Sequence, residues 1–254
     1  MGFSSNNIKN KKKILIFIPA YNVEKKILTV LKRIPKEIFI KNSINILIVD
    51  DFSKDKTRIT VENYLKENNM NRLIDFIKNN ENLGYGGVQK IAYRYAIKND
   101  FDFVIMLHGD GQYSPEKLPD VIENLISSGA DGVFGSRLIK QKDALKGGMP
   151  FYKFVGNRVL TFIQNLILGT NFSEFHSGYR SYKVNALRKI NFERNTNNFH
   201  FDTEIIIQML KFKFIIKEIP IPTFYGDEVS HLKSIPYGIN ILISTIKYRF
   251  FYKD

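Results

Sequence analysis

The chain has 254 residues, 44% of them apolar, a formal net charge of +13 and no cysteine. That length suits one large α/β domain or two small ones, and the lack of cysteine excludes a disulfide framework and a thiolate metal site. Nothing has the apolar core of a signal peptide or the roughly 18–20 apolar residues that span a bilayer. No helix-turn-helix, zinc or RNA-recognition signature gives the positive charge a nucleic-acid reading.

Residues 1–12 form a basic, polar tail. Residues 14–19 are a short apolar run ended by a turn, and 23–33 follow with Ile27, Val30, Leu31 and Ile34 at helical spacing. Residues 45–49 read as the next strand and 55–68 as the next helix. Strand 73–77, helix 86–98 and strand 103–107 complete the alternation. This pattern predicts a Rossmann-like, mostly parallel sheet with helices on both faces, its ligands beyond the carboxyl ends of the strands. After the apolar run 131–135 the style changes. Residues 140–149 are polar and contain glycine, and read as a mobile loop. Residues 154–168 carry Val155, Val159, Phe162, Ile163, Leu166 and Ile167 on one helical face, with Asn157, Arg158, Thr161, Gln164 and Asn165 opposite. Residues 239–250 repeat the trait with Ile239, Leu242, Ile243, Ile246 and Phe250, then end in a basic, aromatic tail. The expected organisation is the tail 1–12, one catalytic domain over 13–225, and an amphipathic C-terminal helical extension over 226–254.

The polar motifs fall at the predicted strand ends. Pro19-Ala-Tyr-Asn-Val-Glu24 brings backbone donors, the Tyr21 ring and Glu24 to the first strand end, though an ordinary β-α turn with an acid at the helix start would look the same. Asp50 and Asp51 follow a buried strand, where adjacent carboxylates repel unless a cation or donor groups compensate. Such a carboxylate can accept from a nucleobase N–H or from ribose hydroxyls. Ser53 and Asp55 suit helix capping. Asn82-Leu-Gly84-Tyr-Gly-Gly87 resembles a phosphate cradle but fits neither G-x-G-x-x-G nor a P-loop, and reads better as a tight turn onto a helix. His108-Gly-Asp110-Gly-Gln112 is the strongest metal motif. Asp110 is a hard anionic ligand, Gln112 offers a carbonyl oxygen, and His108 suits a transition metal or a phosphate. Gly135-Ser-Arg137 and Ser177-Gly-Tyr-Arg180 place arginines after a strand end and a turn. Asp202 and Glu204 open a helix, a position that is often purely structural.

Taken together, Ile18-Pro-Ala-Tyr-Asn22 with Glu24, Val49-Asp-Asp51 with Ser53, Asn82-Leu-Gly84, Asp110 with Gln112, Pro115-Glu116, Gly135-Ser-Arg137, Ser177-Gly-Tyr-Arg180 and Glu218-Ile-Pro-Ile221 resemble glycosyltransferase family 2, specifically its polyprenyl-phosphate (dolichol-phosphate) sugar synthase branch. The ordered set runs from about residue 13 to 225. The resemblance implies a GT-A fold and a nucleotide-diphosphate sugar donor, UDP-sugar ahead of GDP-mannose, with Mg2+ or Mn2+. It implies donor binding by Pro19, Tyr21, Glu24 and Asp51 and metal binding by Asp110 and Gln112. The placement of the residues themselves adds Asp50, Ser53, Gly84, His108 and Asp110 to the expected donor site and His108 to the expected metal site. Arg137 and Arg180 would lie near the acceptor phosphate or the diphosphate. One departure stands out: the branch usually begins its metal motif Asp-x-Asp, and His108 occupies the first position here.

The expected reaction is inverting transfer to a polyprenyl phosphate, with Asp110, Arg137 and Arg180 stabilising the leaving diphosphate. A lipid phosphate is already anionic and needs no general base. Transfer to a sugar hydroxyl of a glycan would need one, with Asp202 and Glu204 as the choices. A sugar nucleotidyltransferase and a non-catalytic nucleotide-sugar-binding protein are the competing classes. The first should show an N-terminal glycine-rich loop with arginine, and residues 14–21 have none. The amphipathic segments suggest a cytoplasmic enzyme held peripherally on an anionic inner membrane face, although both could simply pack on the core.

Overall fold

The computed structural model describes residues 11–68, 73–223 and 234–250. Its first half contains β1 (Lys13–Ala20), α1 (Ile27–Lys32), α2 (Glu37–Lys41), β2 (Ser43–Asp50), α3 (Thr57–Glu67), β3 (Ile74–Lys78), α4 (Gly84–Lys98) and β4 (Phe103–Met106). Then come α5 (Leu118–Ser127), β5 (Gly132–Ser136), α6 (Gln141–Lys146), α7 (Phe151–Leu168), β6 (Arg180–Lys183), α8 (Val184–Leu187), α9 (Phe201–Lys211), β7 (Ile216–Pro220) and α10 (Ser234–Phe250).

The strands form one seven-stranded sheet in the order β3-β2-β1-β4-β6-β5-β7. All pairings are parallel except those of β6, which runs antiparallel to β4 and β5. β1 explains why the central strands read as continuous apolar runs. Ile14, Ile16 and Ile18 enter one core while Leu15 and Phe17 enter the other, so both faces of the sheet are covered. Helices α1, α2, α3 and α5 supply the first core; α4, α8 and α9 supply the second. The chain leaves β1 toward β2 and β3, then returns on the other side of β1 as β4. The loops after β1 and β4 therefore diverge, and a crevice opens at that switch point.

Two local expectations are corrected, and an alternative for the amphipathic helices is answered. Helix α1 begins at Ile27, so Glu24 lies in the turn before it rather than in its first turn. Residues 140–149 are not an open loop: they contain α6, and Ala144 and Met149 pack with Leu138 and Phe154 in a small separate cluster. The two amphipathic helices do not bury their apolar faces in the core. In α7 the polar residues Thr161 and Gln164 are buried, whereas Phe162 is 68% exposed and Leu166 75% exposed. In α10, which packs on α7 and α9, Ile241 and Thr245 face inward while Ile239, Ile243 and Ile246 are exposed. Of the expected termini, residues 1–10 and 251–254 lie outside the described residues, as do 224–233 at the start of the extension.

Candidate active site at the sheet switch point

The crevice is a cleft of about 720 Å³, bounded by the loops after β1 and β4, the start of α4 and the segment before α9. Pro19, Tyr21, Glu24, Asp51, Gly84, His108 and Asp110 line it. Asp50, Ser53, Gln112, Arg137, Arg180, Asp202 and Glu204 are not part of that lining.

The two acidic loops on the β1–β2 side are laced together. Asn22 takes a left-handed conformation (φ +54°), which its short polar side chain tolerates. Its backbone N–H donates to Ser53 Oγ (2.9 Å), and its Oδ1 accepts from Lys54 N (2.8 Å). Glu24 Oε2 accepts from Lys56 N (2.7 Å), while Asp55 accepts from Glu24 N (3.1 Å) and Thr57 N (2.9 Å). Ser53 Oγ in turn donates to Asp50 Oδ1. Asp50 is fully buried behind the cleft wall, and its Oδ2 has no partner among the described residues.

Asp51 reaches across to the start of α4. One carboxylate oxygen accepts from Asn79 Nδ2 and Leu83 N, both at 2.8 Å; the other accepts from Gly84 N at 2.9 Å. It satisfies N–H groups that a helix start leaves without partners, and puts negative charge at the positive end of α4. The glycine-rich turn answers a packing need. A Cβ on Gly84 (φ +78°) would lie 2.7 Å from Asn197 O, and one on Gly86 would lie 2.5 Å from Thr196 O. The backbone of the 196–197 segment rests directly on the first turn of α4, with Gly86 N donating to Asn197 O at 2.8 Å.

At the end of β4, Asp110 Oδ1 accepts from Gln112 N (2.9 Å), and its other oxygen has no partner among the described residues. His108 is half-buried, its ring 4.8 Å from that of Tyr113 and 5.9 Å from that of Tyr85. Its Nε2 is buried without a hydrogen-bond partner among the described residues and lies 2.5 Å from where a Gly178 Cβ would stand. Among the described residues, no group of three or more His, Asp and Glu side chains is gathered to hold a metal. One carboxylate with an uncommitted oxygen still fits a small, hard divalent ion that takes most of its ligands from substrate phosphate and water.

The predicted arginines and acids lie behind the cleft. Arg137 pairs with the buried Glu174, donating from its backbone N (2.7 Å), from Nε (2.9 Å) and from Nη2, while Nη2 also reaches His176 O (3.2 Å). Burial pushes the Glu174 carboxyl up, but the Arg137 charge and hydrogen bonds outweigh it and hold it below its ordinary range. Arg180 is fully buried with its guanidinium 4.4 Å from the Phe134 ring centroid. Its Nη2 donates to Phe175 O, and its Nε and Nη1 have no hydrogen-bond partner among the described residues. Asp202 accepts from Gln89 Nε2 (2.8 Å) and Tyr85 OH (2.9 Å). Burial pushes its carboxyl up, against the opposing pull of Arg180. Glu204 accepts from Thr196 N (2.7 Å) and so holds the segment seated on α4.

Sequence reasoning passed over Tyr85, Val88, Asn198 and Phe199, which also line the cleft. Tyr85 sits inside the glycine run, and Phe199 interrupts a polar stretch without periodicity, so neither carries a pattern beyond being aromatic.

A mostly parallel sheet with helices on both faces and an acid-lined crevice at its switch point fits the GT-A fold. The glycosyl transferase family 2 model matches residues 15–191, and the chain belongs to glycosyltransferase family 2. It is 31% identical over 249 residues to an uncharacterized protein of Methanocaldococcus jannaschii, covering 98% of this chain and 97% of that one. It is also 31% identical over 251 residues to the UDP-N-acetylglucosamine–dolichyl-phosphate N-acetylglucosaminyltransferase of Methanococcus voltae, covering 95% and 94%. Its fold matches the crystal structure of Mycobacterium tuberculosis glucosyl-3-phosphoglycerate synthase in complex with Mn2+, UDP and glucosyl-3-phosphoglycerate. The TM-score is 0.65 at 15% identity, over 96% of this chain and 81% of that one.

Proposed function

We propose that this protein transfers a sugar, with inversion, from a nucleotide-diphosphate sugar to a polyprenyl phosphate at a membrane surface. The carrying observation is the distribution of carboxylates in the cleft. Asp51 and Asp55 spend both oxygens on loop donors, and Glu24 spends one on Lys56 N. That leaves Asp110 as the acid with an uncommitted oxygen at the β4 end. The diphosphate lies there, and the base and ribose lie toward Pro19, Tyr21, Glu24 and Asp51, with Asp50 and Ser53 holding those loops from behind. A UDP-sugar is the preferred donor, in keeping with the Methanococcus voltae relative.

Asp110 would hold Mg2+ or Mn2+, with Gln112 fixing its carboxylate and His108 beside it. Such an ion supplies Lewis-acid stabilisation of the leaving diphosphate. Arg137 and Arg180 contribute positive charge from behind the wall rather than as open ligands. An anionic lipid phosphate attacks without a general base, which suits a site where Asp51 and Asp55 are committed to loop donors. A hydroxyl acceptor would require Asp202 or Glu204 as base, and their oxygens serve Tyr85, Gln89 and Thr196. The direct test is transfer from UDP-N-acetylglucosamine to polyprenyl phosphate in vesicles, with and without Mn2+. Transfer to a sugar hydroxyl but not to the lipid phosphate would refute the acceptor assignment.

The membrane reading rests on α7 and α10. No described helix is long and apolar enough to cross a bilayer. Yet α7 turns Phe162 and Leu166 outward with Thr161 and Gln164 inward, and α10 leaves Ile239, Ile243 and Ile246 exposed. An exposed apolar strip on a protein of net charge +13 suits the anionic inner face of a cytoplasmic membrane. Absence of binding to anionic vesicles at low salt would refute it.

A further inference from the structure

Tyr85 and Phe199 form a stacked aromatic pair in the cleft wall that the reaction above leaves unused. Their ring centroids are 5.3 Å apart with planes at 26°, and both side chains line the cleft. The pair is built rather than incidental. Tyr85 OH donates to Asp202 Oδ2 (2.9 Å), and the segment carrying Phe199 is seated on the glycines of α4. Lys90 Nζ fastens that segment further through Asn197 Oδ1 (2.8 Å). Phe199 is nonetheless 37% exposed, a large apolar face left open to the cleft.

Its position indicates what it meets. The nucleotide end of the cleft is bounded by the loops after β1 and β2, and the diphosphate end by Asp110. Tyr85 packs against His108, at the β4 side of the cleft. A group held there adjoins the loop that carries Asp110, and in a nucleotide-sugar the group bonded to the diphosphate opposite the nucleoside is the hexose. A pyranose presents a flat patch of polarised C–H bonds on its ring face, and an aromatic face carries the complementary negative potential. We infer that the Tyr85–Phe199 pair is the platform for the donor's hexose ring, with Phe199 a specificity-determining residue. This rests on the nucleotide-sugar reading above.

The experiment is calorimetry of the full chain with Mn2+. The probes are UDP-N-acetylglucosamine or GDP-mannose, whichever wild type binds more tightly, and the matching nucleotide diphosphate alone. Phe199→Ala is expected to weaken the sugar nucleotide about threefold to tenfold, the scale of one aromatic contact. It should leave the free diphosphate unchanged. Phe199→Trp should restore sugar-nucleotide affinity. Thermal melting checks that both variants fold, and the partial exposure of Phe199 makes truncation tolerable. Equal weakening of both ligands would assign the pair to the nucleotide and overturn the inference, as would no change in either. Failure of wild type to bind any sugar nucleotide would instead bring down the underlying functional reading, and this inference with it.

Discussion

Asp51 and Asp110 both stand just beyond the ends of parallel strands, yet their surroundings divide their work. Asp51 closes the start of α4 with three hydrogen bonds, while Asp110 keeps one oxygen uncommitted. Asp110→Ala is therefore expected to cut transfer roughly 100- to 1000-fold, the scale of losing one group that stabilises transition-state charge. Its thermal midpoint should stay near that of wild type; unimpaired transfer would show that the metal lies elsewhere. Glu174 belongs to stability. Removing it takes the carboxylate from the half-buried Arg137, which keeps His176 O, so Glu174→Ala should cost about 1–3 kcal/mol in chemical denaturation. His176 adds a pH dependence. Burial pushes its imidazole down to about 3 from an ordinary 6.5, so between these values the unfolded chain binds more protons than the folded one. Stability should then fall on acidification through that window, by at most about 1.4 kcal/mol per pH unit. The Glu174 contribution has the depressed-carboxylate sign and is lost only at lower pH, as the acid protonates. Burial also holds His200 below its ordinary value, with the same sign, so the share of His176 is read from the difference between wild type and His176→Asn over about pH 7 to about pH 5, where the variant should have the shallower slope.

At the scale of elements, α7 is the most instructive. Its periodicity was legible, but which face meets the protein was not. Asn157 reaches Glu174 (2.7 Å), Asn165 reaches Phe172 O (2.8 Å), and Gln164 sits beside Thr245 of α10. These polar contacts turn the apolar face outward. Phe162→Ser combined with Leu166→Ser should weaken vesicle co-sedimentation about tenfold or more, since each large side chain is worth on the order of 1.5–3 kcal/mol when fully buried. Folded stability should hardly change, because neither side chain is packed on the core. A large drop in stability with unchanged vesicle binding would contradict the outward assignment. The start of α4 teaches the opposite lesson. Its glycines were legible as a tight turn, but their cause lies more than 100 residues downstream in the segment at Thr196 and Asn197. A glycine run alone does not distinguish a phosphate cradle from a seat for another backbone.

For the molecule as a whole, the parallel pairings around β1 decide where chemistry can occur, because they bring the ends of β1 and β4 to one crevice. The charge of +13 makes a separate prediction: binding to anionic vesicles should weaken steeply with added salt as the screening length contracts, leaving the part due to apolar insertion. Salt-independent binding would assign the surface to apolar contact alone. Five strands of the sheet, most of its helices, the acidic strand ends and the family resemblance were determined by the sequence, since alternation and strand-end motifs are properties of neighbouring residues, whereas the antiparallel insertion of β6 was not. Only the tertiary structure decided that Asp51, Arg137 and Glu204 are held by other segments, that α7 faces outward, and that Phe199 joins Tyr85 in the cleft. Each depends on which distant backbone or side chain satisfies a polar group or covers an apolar one, and local periodicity carries no record of that pairing.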